Sequence, residues 1–135
     1  MSLLVDTNPW SLAFRRDGEQ TEPEVAALRE ALLNAHRVVT TGIVVQELLQ
    51  GVTGARDRAQ LLERLSAIDV VQPDQDDHVE AADQRTGCRR RGVQIGTIDA
   101  LLIQLCRRHE LVLLTNHQDV SAARAHVEFA LWPMA

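Results

Sequence analysis

Three acidic residues interrupt segments of the sequence that are otherwise apolar. Asp6 directly follows "LLV", Glu47 lies within "VVQELLQG", and Asp99 lies within "IGTIDALLIQLC". An ionised carboxylate in apolar surroundings carries a large desolvation cost unless it is paired, hydrogen-bonded or bound to a metal ion. Like charges close together raise one another's pKa, so a group of acids stays ionised when a cation neutralises it. These residues predict a converging acidic site for a hard, oxygen-binding cation, Mg²⁺ or Mn²⁺.

Helical spacing places two of these acids among apolar neighbours. With about 100° of rotation per residue, Glu47 falls ~40° from Ile43, inside the apolar arc of its helix. Counted in the same way from the first apolar residue of its own helix, Asp99 falls between Cys106 at ~80° and Ile103 at ~140°. A metal ion held by such acids can polarise a phosphodiester and generate hydroxide from bound water. The pattern therefore predicts phosphodiester hydrolysis.

Each acidic position also has a structural interpretation. Asp6 suits a helix N-cap, and Glu47 could pair with a core arginine. Asp99 could supply first-turn charge that favours the helix dipole. In the later segment "TNHQDV", Asn116 and Asp119 could simply shape a turn. Separately these signals are weak, and it is their order and joint position that favour a site.

Strands and helices alternate along the chain, which predicts an α/β fold with a mainly parallel sheet covered on both faces. Predicted strands are Leu3–Val5, Arg37–Thr40, "IDVVQP" at 68–73, "LVLLTN" at 111–116 and "VEFALWP" at 127–133. Predicted helices are Pro9 to about Arg15, Glu22–Ala35, Ile43–Gln50, "GARDRAQLLERLSA" at 54–67, Asp76–Arg90, Thr97 or Ile98 to His109, and a short one within "HQDVSAARAH". Ligands of such folds bind beyond the carboxyl ends of the strands, where Asp6 and "TNHQD" are expected.

Composition indicates one globular domain over residues 1–135 that is cytoplasmic, without a membrane-spanning or targeting segment. Of the 135 residues, 45% are hydrophobic and 24% charged, near the globular average. The net charge of −5 argues against binding a polyanion through bulk electrostatics, although it does not exclude a local site. Cys88 and Cys106 lie outside any metal-ligand motif, so they are expected to be reduced and structural.

The absence of lysine argues against two other classes that place an aspartate after a first strand. All 14 basic residues are arginine, whereas phosphoacceptor receiver domains and haloacid-dehalogenase-like phosphatases use a lysine near that aspartate. A P-loop nucleotide binder is disfavoured because the sequence contains no GK[ST] motif.

The segments "LLVDTNPW", "VVQELLQG" and "IGTIDALLIQLCRRHELVLLTNHQDV" resemble the acidic landmarks of PIN domains, specifically of VapC-type ribonuclease toxins of toxin–antitoxin systems. The resemblance covers essentially the whole chain. It assigns the four acids of that family to Asp6, Glu47, Asp99 and Asp119. It implies a three-layer α/β/α sandwich, a Mg²⁺-dependent endoribonuclease that cleaves RNA, inhibition by a VapB-like antitoxin, and a homodimer. Thr7, Asn8 and Thr115 match polar positions that line the family's site, and we predict that Asn116 and His117 also contact the substrate.

The last motif departs from the family pattern. The family often has T-x-D-x-D-F, whereas this chain has His117 at the first acidic place and Val120 in place of the aromatic residue. His117 is either a surface loop residue or a group that contacts phosphate or transfers a proton. The departure keeps open a PIN-like domain that binds RNA or a partner without cleavage, and a nuclease directed at DNA is a third alternative.

Overall fold

A parallel β-sheet forms the centre of the fold in the computed structural model, which describes residues 1–15 and 22–134. Within those residues the sheet has five strands in the order β3-β2-β1-β4-β5, and all the pairings are parallel. The strands are β1 Ser2–Val5, β2 Arg37–Thr40, β3 Asp69–Val70, β4 Val112–Leu114 and β5 Ala130–Leu131. The sheet confirms the predicted parallel α/β class.

Helices connect the strands and cover the sheet. They are α1 Thr7–Ala13, α2 Pro23–Leu33, α3 Gly42–Gln50, α4 Ala55–Leu65, α5 Gln75–Arg90, α6 Thr97–His109 and α7 Gln118–Ala122, with a 3-10 turn at Ala123–Ala125. Together with the sheet they form the expected three-layer arrangement. Among the described residues, no helix combines the length and apolar character that crossing a membrane requires.

The central strands β1 and β4 are buried because they are shielded from water on both faces of the sheet. Leu3, Leu4 and Val5 of β1 are 0% exposed, and Leu114 of β4 is equally buried. Continuous apolar strands of this kind are typical of parallel sheets that are covered by helices on both sides. The buried core therefore holds the carboxyl ends of β1 and β4 in fixed positions.

The pairing of β1 with β4 aligns the residues that follow the two strands. Val5 pairs with Leu114, and the backbone N–H of Asp6 donates to the Leu114 carbonyl at 2.9 Å. Asp6 and Thr115 consequently leave the sheet side by side at the same edge. The predicted location of polar residues at the carboxyl ends of the strands is thus observed.

Several element ends differ from the predictions for local reasons. Helix α1 begins at Thr7, two residues before the predicted start, because the Asp6 side chain caps it. The strand predicted at 127–133 pairs only at Ala130–Leu131, since the Val127 N–H instead donates to the Ala123 carbonyl at 2.9 Å. Likewise, β3 is limited to Asp69–Val70 within the predicted 68–73.

A buried carboxylate ties α5 to α6. Asp77 is 1% exposed and forms a capping box with Asp74, in which each side chain accepts the other residue's backbone N–H at 2.9 Å. Its oxygens also accept hydrogen bonds from Gln104 and Arg108 of α6. Burial alone would raise the pKa of Asp77, but these hydrogen bonds and the Arg108 charge hold the pKa below its ordinary value. Asp77 therefore helps to anchor the helix that carries Asp99.

Replacement of Asp77 by asparagine is expected to lower the free energy of unfolding at pH 7 by about 1–3 kcal/mol, because it removes the ion pair and weakens the cap. A carboxylate with a lowered pKa in the folded state stabilises the fold above its unfolded-state pKa, and that contribution is lost as the pH falls through the folded-state pKa. The difference between wild type and Asp77→Asn should therefore shrink below about pH 4. Urea denaturation across this pH range measures it. Asp83→Asn, an exposed substitution on the same helix, is the control and should change stability by less than about 0.5 kcal/mol.

Candidate metal centre

The carboxylate of Asp6 lies at the end of β1 with its two oxygens in different roles. Oδ1 accepts the Thr7 N–H at 2.7 Å and so caps α1. Oδ2 accepts the Thr115 hydroxyl at 2.8 Å. The residue is only 3% exposed. Asp6 is therefore the N-cap of α1, as one interpretation of the sequence predicted. Capping uses only Oδ1, so Oδ2 remains directed at the site.

Glu47 approaches from α3, as its place on the helical wheel predicts. Its Oε1 accepts the Thr7 hydroxyl at 2.6 Å. Thr7 thus touches two acids, through its backbone N–H to Asp6 and through its side chain to Glu47. Glu47 is half-buried and contributes to the same cavity as Asp6.

Asp99 lies in the first turn of α6, whose N-terminus is at the carboxyl edge of the sheet. Its side chain is 14% exposed. The residue before the helix, Gly96, lies directly beside it: a Cβ built on Gly96 would make an ordinary van der Waals contact with Asp99 Oδ2 at 3.4 Å. Asp99 therefore serves the first-turn position and also faces the cavity.

His117 places a ring nitrogen between two of these carboxylates. Its Nδ1 lies 3.2 Å from Asp99 Oδ1 and 3.5 Å from Asp6 Oδ2, while the side chain remains 52% exposed. The backbone N–H of His117 donates to the Thr115 hydroxyl at 3.1 Å. Burial lowers the pKa of His117, but the hydrogen bond to Asp99 and the surrounding negative charges outweigh it and raise the pKa. The carboxylates therefore favour positive charge at this point.

These side chains surround one cavity of about 440 Å³. It is lined by Asp6, Thr7, Asn8, Ser11, Glu47, Gly96, Thr97, Ile98, Asp99 and His117. Three of the four predicted acids are thus brought together, along with three of the five predicted substrate-lining residues. The walls come from α1, α3, the start of α6 and the loop after β4, so the site depends on segments distant in sequence.

The remaining predicted residues lie around the cavity rather than in its wall. Asp119 is exposed in the first turn of α7, and its charge contributes to the raised pKa of His117. Thr115 is 7% exposed and holds Asp6 and the His117 backbone. The Asn116 Oδ1 is buried and has no hydrogen-bond partner within the part of the chain that the structure describes.

Four lining residues lie outside the predicted set, namely Ser11, Gly96, Thr97 and Ile98. Ser11 is one helical turn beyond Thr7 and Asn8, so the spacing of α1 could have pointed to it. Gly96 and Thr97 open the helix that carries Asp99. Backbone N–H groups at a helix start favour anions, so the position of α6 suits a phosphate group next to the acids.

The chain's likeness to known proteins agrees with this architecture. A family model described as the PIN domain matches residues 3–125. Among curated proteins, no sequence matches the chain significantly.

Solved structures share the fold at low identity. FitAcB from Neisseria gonorrhoeae is 22% identical with a TM-score of 0.72, covering 96% of this chain and 95% of that chain. A toxin-antitoxin complex from Klebsiella pneumoniae is 21% identical with a TM-score of 0.64, covering 87% and 89%. VapC20 from Mycobacterium tuberculosis, described as a Sarcin-Ricin loop cleaving toxin, is 18% identical with a TM-score of 0.66, covering 90% and 95%.

The family match extends from β1 through β4 and includes all three acids at the cavity and the loop that carries His117. The chain belongs to the PIN-domain family.

Proposed function

We propose that this PIN domain is a metal-dependent endoribonuclease and acts as the toxin of a toxin–antitoxin pair. The observation that carries the proposal is the meeting of Asp6, Glu47 and Asp99 at one cavity from three different elements. Their joint burial carries a desolvation cost that a bound cation would offset. The family match and the toxins among the similar folds support the same activity.

The donor atoms fit a divalent cation. Ligand atoms of Asp6, Asp99 and His117 lie within 4.8 Å of one another, and Glu47 lines the same cavity. Carboxylate oxygens are the ligands preferred by Mg²⁺ and Mn²⁺. A bound ion of this class lowers the pKa of a water molecule and stabilises negative charge on a phosphodiester. Asp6 and Asp99 would hold the ion, with Glu47 acting partly through water.

The chain's own residues fix the arrangement before substrate binds. Thr7 and Thr115 donate hydrogen bonds to the acids and so restrict the directions in which the carboxylate oxygens point. We assign Thr7 and Asn8, which line the cavity, to the RNA backbone, while His117 lines the same cavity with its ring facing the acids. Thr115 and Asn116 would support this surface from behind. Such prior positioning lowers the barrier because little reorganisation remains for the reaction.

The proposal extends to partners and location. VapC20 is described as cleaving a Sarcin-Ricin loop, and another similar fold comes from a toxin–antitoxin complex. By analogy, we propose an RNA substrate, a VapB-like antitoxin, a homodimeric toxin and a cytoplasmic location. Because His117 is exposed beside the cavity, a partner that covers this edge of the sheet would block access to the acids.

Asp6→Asn and Asp99→Asn should each lower Mg²⁺- or Mn²⁺-dependent RNA cleavage on the order of 100-fold or more, because each removes a negative charge that the ion requires. The thermal unfolding midpoint should change little, since asparagine retains the shape and an accepting oxygen. Cleavage of a mixed RNA substrate by the purified proteins measures the effect. Asp83→Asn, on the exposed face of α5, is the matched control and should retain full activity.

Two results would contradict the nuclease proposal. Undiminished cleavage by Asp6→Asn or Asp99→Asn would remove the acids from the mechanism. Metal and RNA binding by wild type without any cleavage would instead favour the alternative of a PIN-like domain that binds RNA or a partner. Cleavage of DNA in preference to RNA would identify the third alternative.

Asp119→Ala should lower cleavage by about 10-fold, less than the loss at Asp6, because the side chain acts from outside the cavity wall. The cleavage assay compares Asp119→Ala with the control Glu128→Ala, because Glu128 is an exposed acid at the other edge of the sheet. If Asp119→Ala cleaves RNA as fast as wild type does, the role of the family's fourth acid would be assigned to His117 instead of Asp119.

The toxin proposal predicts that a small antitoxin-like reading frame immediately precedes this one. Its product, mixed with the purified protein, should form a stable complex and suppress RNA cleavage, which size-exclusion chromatography and the cleavage assay measure together. Induced expression of wild type should arrest bacterial growth, whereas Asp6→Asn should not. Growth arrest that persists in the Asp6→Asn strain would show that toxicity does not depend on the acidic site.

A further inference from the structure

His117 is the one nitrogen donor in the cluster that faces the proposed ion. Within the described ranges, Asp6, Asp99 and His117 form the one group of three His, Cys, Asp or Glu side chains whose ligand atoms meet closely enough to hold a metal. Nδ1 of His117 is the atom that points inward, toward both carboxylates. The ring therefore presents a donor atom to the same point as the acids.

The distances suit ligands of one ion. Donor atoms about 2.1 Å from an octahedral ion lie ~3.0 Å apart when adjacent and ~4.2 Å apart when opposite. The separations of 3.2 Å from His117 Nδ1 to Asp99 and 3.5 Å to Asp6 are close to the adjacent spacing. The ligand atoms of Asp6 and Asp99 also lie within 4.8 Å of each other. A small side-chain adjustment would bring all three donors to one centre.

The backbone supports this orientation. The His117 N–H is held by the Thr115 hydroxyl, which also donates to Asp6. The loop is therefore fixed relative to one acid, while the half-exposed ring keeps freedom to turn about its side-chain bonds. A ligand of this kind can be recruited by an ion without moving the strand end.

On the basis of the proposed function, we infer that His117 Nδ1 is itself a metal ligand and that the site selects Mn²⁺ over Mg²⁺. Mg²⁺ strongly prefers oxygen ligands and near-ideal octahedral geometry, whereas imidazole binds readily to transition-metal ions. Two carboxylates and one imidazole therefore form a mixed donor set. A carboxylate in place of His117 would restore an all-oxygen set that favours Mg²⁺.

Calorimetric titration of the metal-free protein with MnCl₂ and with MgCl₂ tests the selectivity. His117→Ala should weaken Mn²⁺ binding by about 10- to 100-fold while changing Mg²⁺ binding much less. His117→Asp should bind Mg²⁺ more tightly than wild type does and should show a smaller preference for Mn²⁺. The control is His36→Ala, an exposed histidine before β2 at the opposite edge of the sheet, which should leave both affinities unchanged.

Pulsed electron paramagnetic resonance of the Mn²⁺-loaded protein tests the bond directly. Wild type and His36→Ala should show coupling of the ion to a nitrogen nucleus, which changes when the histidines carry ¹⁵N, and His117→Ala should lack it. Bound Mn²⁺ without this coupling in wild type would overturn the inference, as would an unchanged Mn²⁺/Mg²⁺ affinity ratio in His117→Ala.

The two proposals can fail separately. Metal-dependent RNA cleavage without nitrogen coupling would retain the nuclease and reject His117 as a ligand. Nitrogen coupling without cleavage of any RNA would retain the mixed ligand set and reject the nuclease. Absence of both metal binding and cleavage would reject both.

Discussion

The parallel pairing of β1 with β4 is the constraint on which the site depends. Register Val5–Leu114 places Asp6 and Thr115 next to each other, so that the Thr115 hydroxyl reaches the Asp6 carboxylate. Because side chains alternate between the two faces of a strand, a slip of one residue would turn the partner of Asp6 away. The buried apolar residues of both strands make such a slip costly, so the hydrophobic core sets the position of a polar group.

Two buried acids in this protein are stabilised by different means. Asp77 accepts hydrogen bonds from a helix start and meets the charge of Arg108, which makes it a structural link between α5 and α6. Asp6 accepts two neutral hydrogen bonds and, within the described residues, has His117 as its ion-pair partner. Arginine neutralises the charge of a buried carboxylate, so that carboxylate has little affinity for a further cation. A carboxylate that accepts only from hydroxyl and amide donors keeps its charge and its affinity for a cation. The contrast explains why one buried acid supports the fold and the other opens on the cavity.

The sequence carried enough information for the fold and for most of the site. Alternation of strands and helices predicted the parallel sheet, and the helical positions of Glu47 and Asp99 predicted that they face inward. The ends of elements were harder to predict. The length of β5, for example, depends on which carbonyl accepts the Val127 N–H, and that depends on tertiary structure. Gly96, Thr97 and Ile98 line the cavity because the start of α6 lies near α1, a tertiary arrangement that local sequence patterns do not encode. The position of His117 between two carboxylates likewise depends on the packing of a loop against a distant helix start.

A single hydroxyl, that of Thr115, contacts both the Asp6 side chain and the backbone that leads to the histidine. It donates to the first and accepts from the second, so the two groups share one atom as their reference point. Because both groups are bonded to the same oxygen, a displacement of that hydroxyl would carry the carboxylate and the loop with it. Valine, which matches threonine in shape, would keep the packing yet let the two drift independently, so precision here rests on one oxygen atom rather than on rigidity of the loop.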